Sequence, residues 1–232
     1  MNEAVGRLKR GPGINWHGEI AVANVVTVKT AIESGDAAAL HRLLAEDASR
    51  ANELVCWGKN DRILTHPLHY VCDMLFEGTL ARGRELPLIE ALIRAGADLD
   101  HQPGPKADTP LIGAASLGAE DAGLVLLRAG ARPELTGIFA ETALHWAALL
   151  GEDRLAAGLI EGSELDLKDE KYSSPPLGWA IHGRQNPPDG NQGRQCEVAA
   201  LLVAAGARVD PAWLESEQIR ADLPMLAALK KQ

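Results

Sequence analysis

Cys56, His66, His69 and Cys72 have the clearest capacity for chemistry, because thiolate and imidazole are common ligands of zinc. His69 and Cys72 stand three apart, a spacing that places both on one face of a helix. Zinc sites are normally written as tight pairs such as CxxC, and the sequence has none. No metal and no other cofactor is therefore expected. The three cysteines, Cys56, Cys72 and Cys196, are odd in number and far apart, so no disulfide framework is expected either. Catalytic signatures are missing too: there is no GxSxG, HExxH, Walker-type loop or GxGxxG. No catalytic residue is nominated. A triad is recognised by geometry and not by order, so seven histidines and 32 acidic residues leave an unsignalled site open.

What remains is recognition by surface. Aromatic residues make up only 4% of the chain, so their places are informative. Tyr70, Trp146 and Trp179 each stand two residues after a leucine that opens the same short pattern, and Gly113 fills the fourth such place. Two readings are open. The rings pack between neighbouring helices, as large aromatics mostly do. Alternatively they line a partner-facing surface, where Tyr and Trp are favoured anchors.

A repeated aromatic position needs a repeated element to carry it. Two motifs recur in the same phase. The first is HPLHYVC (66–72), TPLIGAA (109–115), TALHWAA (142–148) and PPLGWAI (175–181). The second is an apolar stretch closed by glycine: LIEALIRAGADLD (88–100), AGLVLLRAGARPE (122–134), LAAGLIEGSELD (155–166) and VAALLVAAGARVD (198–210). The leading leucines are Leu68, Leu111, Leu144 and Leu177, so the last two steps are 33 residues each and the first is 43. The closing glycines are Gly96, Gly130, Gly162 and Gly206. Thr109 and Thr142 are suited to cap a first helix, and Pro110 fits its first turn. The closing glycines suit left-handed caps on a second helix.

A 33-residue period with this alternation resembles the ankyrin repeat. TALHWAALLGEDRLAAGLI at 142–160 is similar to that family's TPLHxAAxxGxxxxVxxLL pattern. The resemblance implies an all-α fold, a solenoid of helix-turn-helix units joined by short β-turn fingers. It covers 26–210 as about five repeats, the first of them the degenerate stretch VTVKTAIESGDAAALHRLLAED (26–47). Residues 1–25 are left as an N-terminal arm and 211–232 as capping helices, two pieces with Pro211 and Pro224 as breakers. In the family, first helices and fingers line a concave partner surface, and the motif histidine, here His69 and His145, bonds backbone between repeats. The fingers fall at 101–105, 136–141 and 168–172. The resemblance nominates Tyr70, Phe139, Glu141, Trp146, Lys171, Tyr172 and Trp179 as protein-binding residues.

The chain departs from the pattern at three places. Repeats two and five carry polar, Gly-rich inserts between their helices, LFEGTLARGREL (75–86) and GRQNPPDGNQGRQ (183–195), which read as loops. RANELVCWGKNDRILT (50–65), with apolar Leu54, Val55 and Trp57, suits a β-hairpin turning at Gly58-Lys59-Asn60-Asp61.

The formal charge of −9 disfavours nucleic-acid binding, which needs a basic surface. No run approaches the roughly 18 apolar residues of a membrane span. The first 20 residues have no apolar stretch after their basic ones, unlike a signal peptide. The expectation is a cytoplasmic, monomeric, non-catalytic module that binds a protein partner as a regulator or inhibitor. The rival is an enzyme or small-ligand binder whose pocket is made by the inserts at 75–86 and 183–195. A third possibility is self-association through an uncapped end.

Overall fold

The computed structural model describes residues 26–104, 107–188 and 193–230. The expected arm at 1–25 lies outside them. The described residues are mostly helical, with one two-stranded sheet. Five helix pairs follow one another: α1 (Val28–Glu33) with α2 (Ala37–Glu46), α3 (Pro67–Phe76) with α4 (Glu85–Arg94), α5 (Pro110–Ser116) with α6 (Glu120–Ala129), α7 (Ala143–Leu150) with α8 (Asp153–Leu159), and α9 (Pro176–Gln185) with α10 (Gln195–Ala204). Three short helices close the chain: α11 (Pro211–Glu215), α12 (Glu217–Ala221) and α13 (Leu223–Leu229).

Short turns send the second helix of a pair back along the first. The pairs then stack in two layers. First helices touch in the order α1, α3, α5, α7, α9, and second helices in the order α2, α4, α6, α8, α10, with α13 against α10. The sequence explains both layers. Ala114, Ala115, Ala147 and Ala148 are fully buried where first helices meet, and their small size allows close approach. Leu40, Leu88, Leu126, Leu155 and Leu202 fill the second layer and are likewise fully buried. Burying such a side chain contributes roughly 1.5–3 kcal/mol, so the summed core holds together a stack whose single pairs could not stand alone. Polar bonds add register between pairs: Asp100 Oδ1 accepts from Arg132 N at 2.9 Å, and Asp166 Oδ1 accepts from Arg208 N at 2.9 Å.

The hairpin is present, with β1 (Val55–Trp57) antiparallel to β2 (Ile63–Thr65) and Val55 opposite Thr65. Thr109 Oγ1 accepts from Ile112 N at 3.2 Å, and Pro110 lies in the first turn of α5.

Other details differ from expectation. The first insert is shorter, because Leu75 and Phe76 end α3 and Glu85 and Leu86 open α4. In the second, Gly183 to Gln185 complete α9, and 189–192 lie outside the described residues. Pro211 and Pro224 begin helices in place of breaking them, since a first-turn proline loses no amide bond. Gly162 is no left-handed cap; it closes a 3₁₀ turn, where a Cβ would stand 2.5 Å from Pro133 Cγ.

The two ends of the helix pairs form two edges. The fingers join one pair to the next at one edge. The intra-pair turns and both inserts lie at the other.

Candidate functional site

The finger edge is fixed by buried polar groups. His145 Nε2 lies 3.1 Å from Leu167 O, and its Nδ1 accepts from Thr142 N at 3.1 Å, which together set the Nε2–H tautomer. His69 Nε2 lies 3.0 Å from Asp108 O. Each imidazole thus reaches the backbone leading into the next repeat. Burial pushes both rings down to about 4, so they are neutral at neutral pH. Gly113 follows from this packing, because a Cβ there would stand 2.6 Å from His69 Nδ1.

Asp169 is buried and organises the last finger. Its carboxylate accepts from Lys171 N at 2.8 Å, Tyr172 N at 2.6 Å, Ser174 N at 3.1 Å and Trp179 Nε1 at 3.0 Å. Burial acts to raise its pKa, but these donors hold the carboxyl below its ordinary range. Glu170 N donates to Phe139 O at 2.6 Å and ties this finger to the one before it. Phe139 and Tyr172 are 33 residues apart, at the same place in successive repeats. Each is followed by a residue with positive φ, Ala140 and Ser173. Such backbone is strained for residues other than glycine, by about 1–3 kcal/mol, and persists only where the surroundings enforce it.

The nominated residues separate into two groups. Phe139, Lys171 and Tyr172 are exposed at adjoining finger tips, Phe139 by 43% and Tyr172 by 63%. Lys171 Nζ lies 5.0 Å from the Phe139 ring centroid and 5.1 Å from that of Tyr172. Ile138, 55% exposed, extends this patch. The other nominees are not exposed at the finger tips. Tyr70 is 1% exposed; it donates its hydroxyl proton to Glu33 at 2.7 Å and packs beside Trp57 of the hairpin. Its burial, with the Glu33 hydrogen bond, raises its phenol pKa. Glu141 is buried and accepts from Phe139 N at 2.7 Å, so it braces a finger from within. Trp179 is buried as a hub, edge-on to Trp146 at 5.1 Å, His145 at 5.4 Å and Tyr172 at 5.9 Å. Trp146 is half-buried, and its Nε1 has no hydrogen-bond partner.

These rings form the floor of a groove of about 790 Å³ between α7, α9 and the closing helices. Trp146, Tyr172, Trp179, His182, Trp213 and Ile219 line it. Tyr172 belongs both to the groove and to the exposed finger-tip patch. Sequence reasoning missed Trp213, which lies beyond the repeat pattern, and Asp169, which looked like one charge among several.

A second depression, of about 750 Å³, lies at the turn edge. Arg82 and Gly83 of the first insert, Gly193 and Arg194 of the second, and the α5–α6 and α7–α8 turns line it. Arg82 Nη1 donates to Gly118 O at 3.3 Å, and Arg194 N donates to Gly151 O at 3.2 Å, so both inserts are docked on turns.

Among the described residues no group of three His, Cys, Asp or Glu side chains could hold a metal ion. Cys56 is exposed at the hairpin, whereas Cys72 is buried in α3 and its thiol is pushed up to about 12 by that burial. No helix among the described residues is long and apolar enough to cross a membrane. No family model matches the chain, and no curated protein matches it.

Proposed function

We propose that this chain is an ankyrin-type repeat solenoid that binds a protein partner and performs no catalysis. Repeat spacing supports the type: two 33-residue steps coincide with three stacked helix pairs, and motif histidines bond backbone across the joins. The binding reading rests on one observation above all. Ile138, Phe139 and Tyr172 are exposed on fingers whose backbone is pinned from below, and Tyr172 runs on into a groove floored by tryptophan. Exposed apolar side chains on a rigid frame bind with little ordering cost, and aromatic anchors beside a groove are favoured contact points. The partner surface is therefore the finger edge around 136–141 and 168–172 together with the adjoining groove. Lys171 between two rings offers a cation to an acidic group at the rim of the partner. The chain acts as a cytoplasmic monomer.

The test is affinity capture from the native cell with three baits: the parent, Phe139→Ala/Tyr172→Ala, and Leu223→Ser, which alters an exposed apolar residue on the closing helices. A protein retained by the parent and by L223S but lost with the double variant is the expected result. Equal retention by all three baits would contradict the proposal.

A further inference from the structure

Glu152 is 8% exposed, and neither carboxyl oxygen has a hydrogen-bond partner. It follows Gly151 at the α7–α8 turn and lines the turn-edge depression. The fold does not require a long acid there. In the first pair the residue after the turn glycine is Asp36, whose carboxylate caps α2 through Ala39 N at 2.9 Å. In the third pair it is Ala119. Glu152 makes no side-chain cap on α8. A buried carboxyl without a partner is unfavourable, and such groups cluster where a protein binds or reacts with something.

Two of the three surrounding arginines are already paired with other acids. Arg154 pairs with Glu120 and with Asp121 at 2.9 Å. Arg194 pairs with Asp153 at 2.9 Å. Arg82 spends a donor on the Gly118 carbonyl, and Glu85 accepts from Gly83 N at 2.6 Å. No cation lies within ion-pair distance of Glu152 among the described residues. Trp146 lines the same depression. A volume of about 750 Å³ is in the range of small-molecule sites. The exposed Phe76 ring and Pro188 supply apolar wall for a carbon stem.

We propose that the turn-edge depression binds a small organic cation, a primary ammonium or guanidinium on an alkyl stem, with Glu152 as its counter-ion. The proposal does not require the finger-edge reading, although Trp146, Leu149 and Pro188 line both depressions. Five acids, Glu85, Glu120, Asp121, Glu152 and Asp153, line the depression against three arginines, Arg82, Arg154 and Arg194, which favours a cation over an anion. Burial, with the nearby Glu120 carboxylate, pushes the Glu152 carboxyl up to about 8, against the pull of Arg82 and Arg154. A bound cation therefore replaces a proton. Binding near neutral pH releases that proton, and affinity rises about tenfold per pH unit until pH passes about 8.

The experiment is calorimetric titration of the full chain with n-butylammonium, n-butylguanidinium, neutral 1-butanol and a capped Gly-Arg-Gly peptide, at about pH 6, 7 and 9. The expected result is binding of a cation but not of butanol, with proton release and tighter binding at higher pH. Binding of the free cations points to a metabolite-like ligand, and binding of the peptide alone points to an arginine of a partner. Glu152→Ala, which copies Ala119, should abolish binding and melt no lower than the parent. No cation bound at any pH, affinity independent of pH, or equal binding by E152A would overturn the proposal. A fold-preserving charge variant, Glu152→Gln, separates lost charge from lost shape: it should bind no better than E152A.

Discussion

At the finger edge around Phe139 and Tyr172 the repeat exposes apolar side chains over buried polar groups, Asp169 and His145, that are hydrogen-bonded to backbone. At the turn edge it does the reverse, burying a carboxyl without partners among paired charges. Asp169 and Glu152 make the contrast sharpest. Both are buried acids. Asp169 accepts four hydrogen bonds and its pKa is lowered; Glu152 accepts none and its pKa is raised. One acid shapes a surface, and the other is left without a partner. Burial alone does not tell a structural acid from a binding one; the bonds it makes do.

Acid should break the finger edge first. His66, His69 and His145 all have pKa values lowered to about 4 by burial, while an unfolded chain titrates them near 6.5. Their neutral forms support the fold fully above about pH 6.5, and that support is lost as pH falls toward 4. At His145 alone the loss is on the order of 3 kcal/mol. Urea midpoints measured across this range should fall steeply, and H145Q should flatten part of the slope. A midpoint that is flat to pH 4 would mean that the fingers are not held by neutral imidazoles.

Trp179→Ala should be the next most severe. Removing this hub empties a space between His145, Trp146 and Tyr172, at a cost of about 3–5 kcal/mol. Thermal melting of W179A should show it, and an unchanged melting point would mean that Trp179 does not hold the last finger in place.

Gly151→Ala sharpens the turn-edge half of the comparison. The residue has φ +73°, and a Cβ would stand 2.8 Å from Gln195 N and closer still to Arg194 N. Both collisions are with backbone, so the second insert must lift off the turn, at a cost of about 2–3 kcal/mol. Hydrogen exchange in G151A should rise at 193–195 before it rises at the fingers.

The smallest stability effect belongs to Phe139→Ala/Tyr172→Ala. Exposed positions away from a packed core usually change stability by about 0.5 kcal/mol or less. A melting point close to the parent's, with capture abolished, separates surface from scaffold. A large drop would show that the tips are core.

The helix pairs, their small-residue interface and the hairpin were legible in the sequence, because period and turn chemistry are local signals. The motif histidines were legible for the same reason. The site was only half legible. Phe139, Lys171 and Tyr172 stand on tips whose direction the repeat phase sets. Tyr70 and Trp179 share the phase that the ankyrin resemblance assigns to a partner-facing surface, but their exposure depends on what neighbouring elements cover. The hairpin brings Trp57 over Tyr70, and the Asp169 finger closes on Trp179. Glu152 was invisible for a related reason. It follows a turn glycine at a place where Asp36 and Ala119 are equally acceptable, and its isolation arises only when two distant inserts fold against the turn.

The most direct test of the account is hydrogen–deuterium exchange of the chain alone and bound to the protein it captures. Protection should concentrate at 136–141, 168–172 and the groove around Trp213, with the turn edge at 82–85, 118–121 and 151–154 unchanged. Protection confined to the turn edge, with the finger tips exchanging as in the free chain, would contradict it.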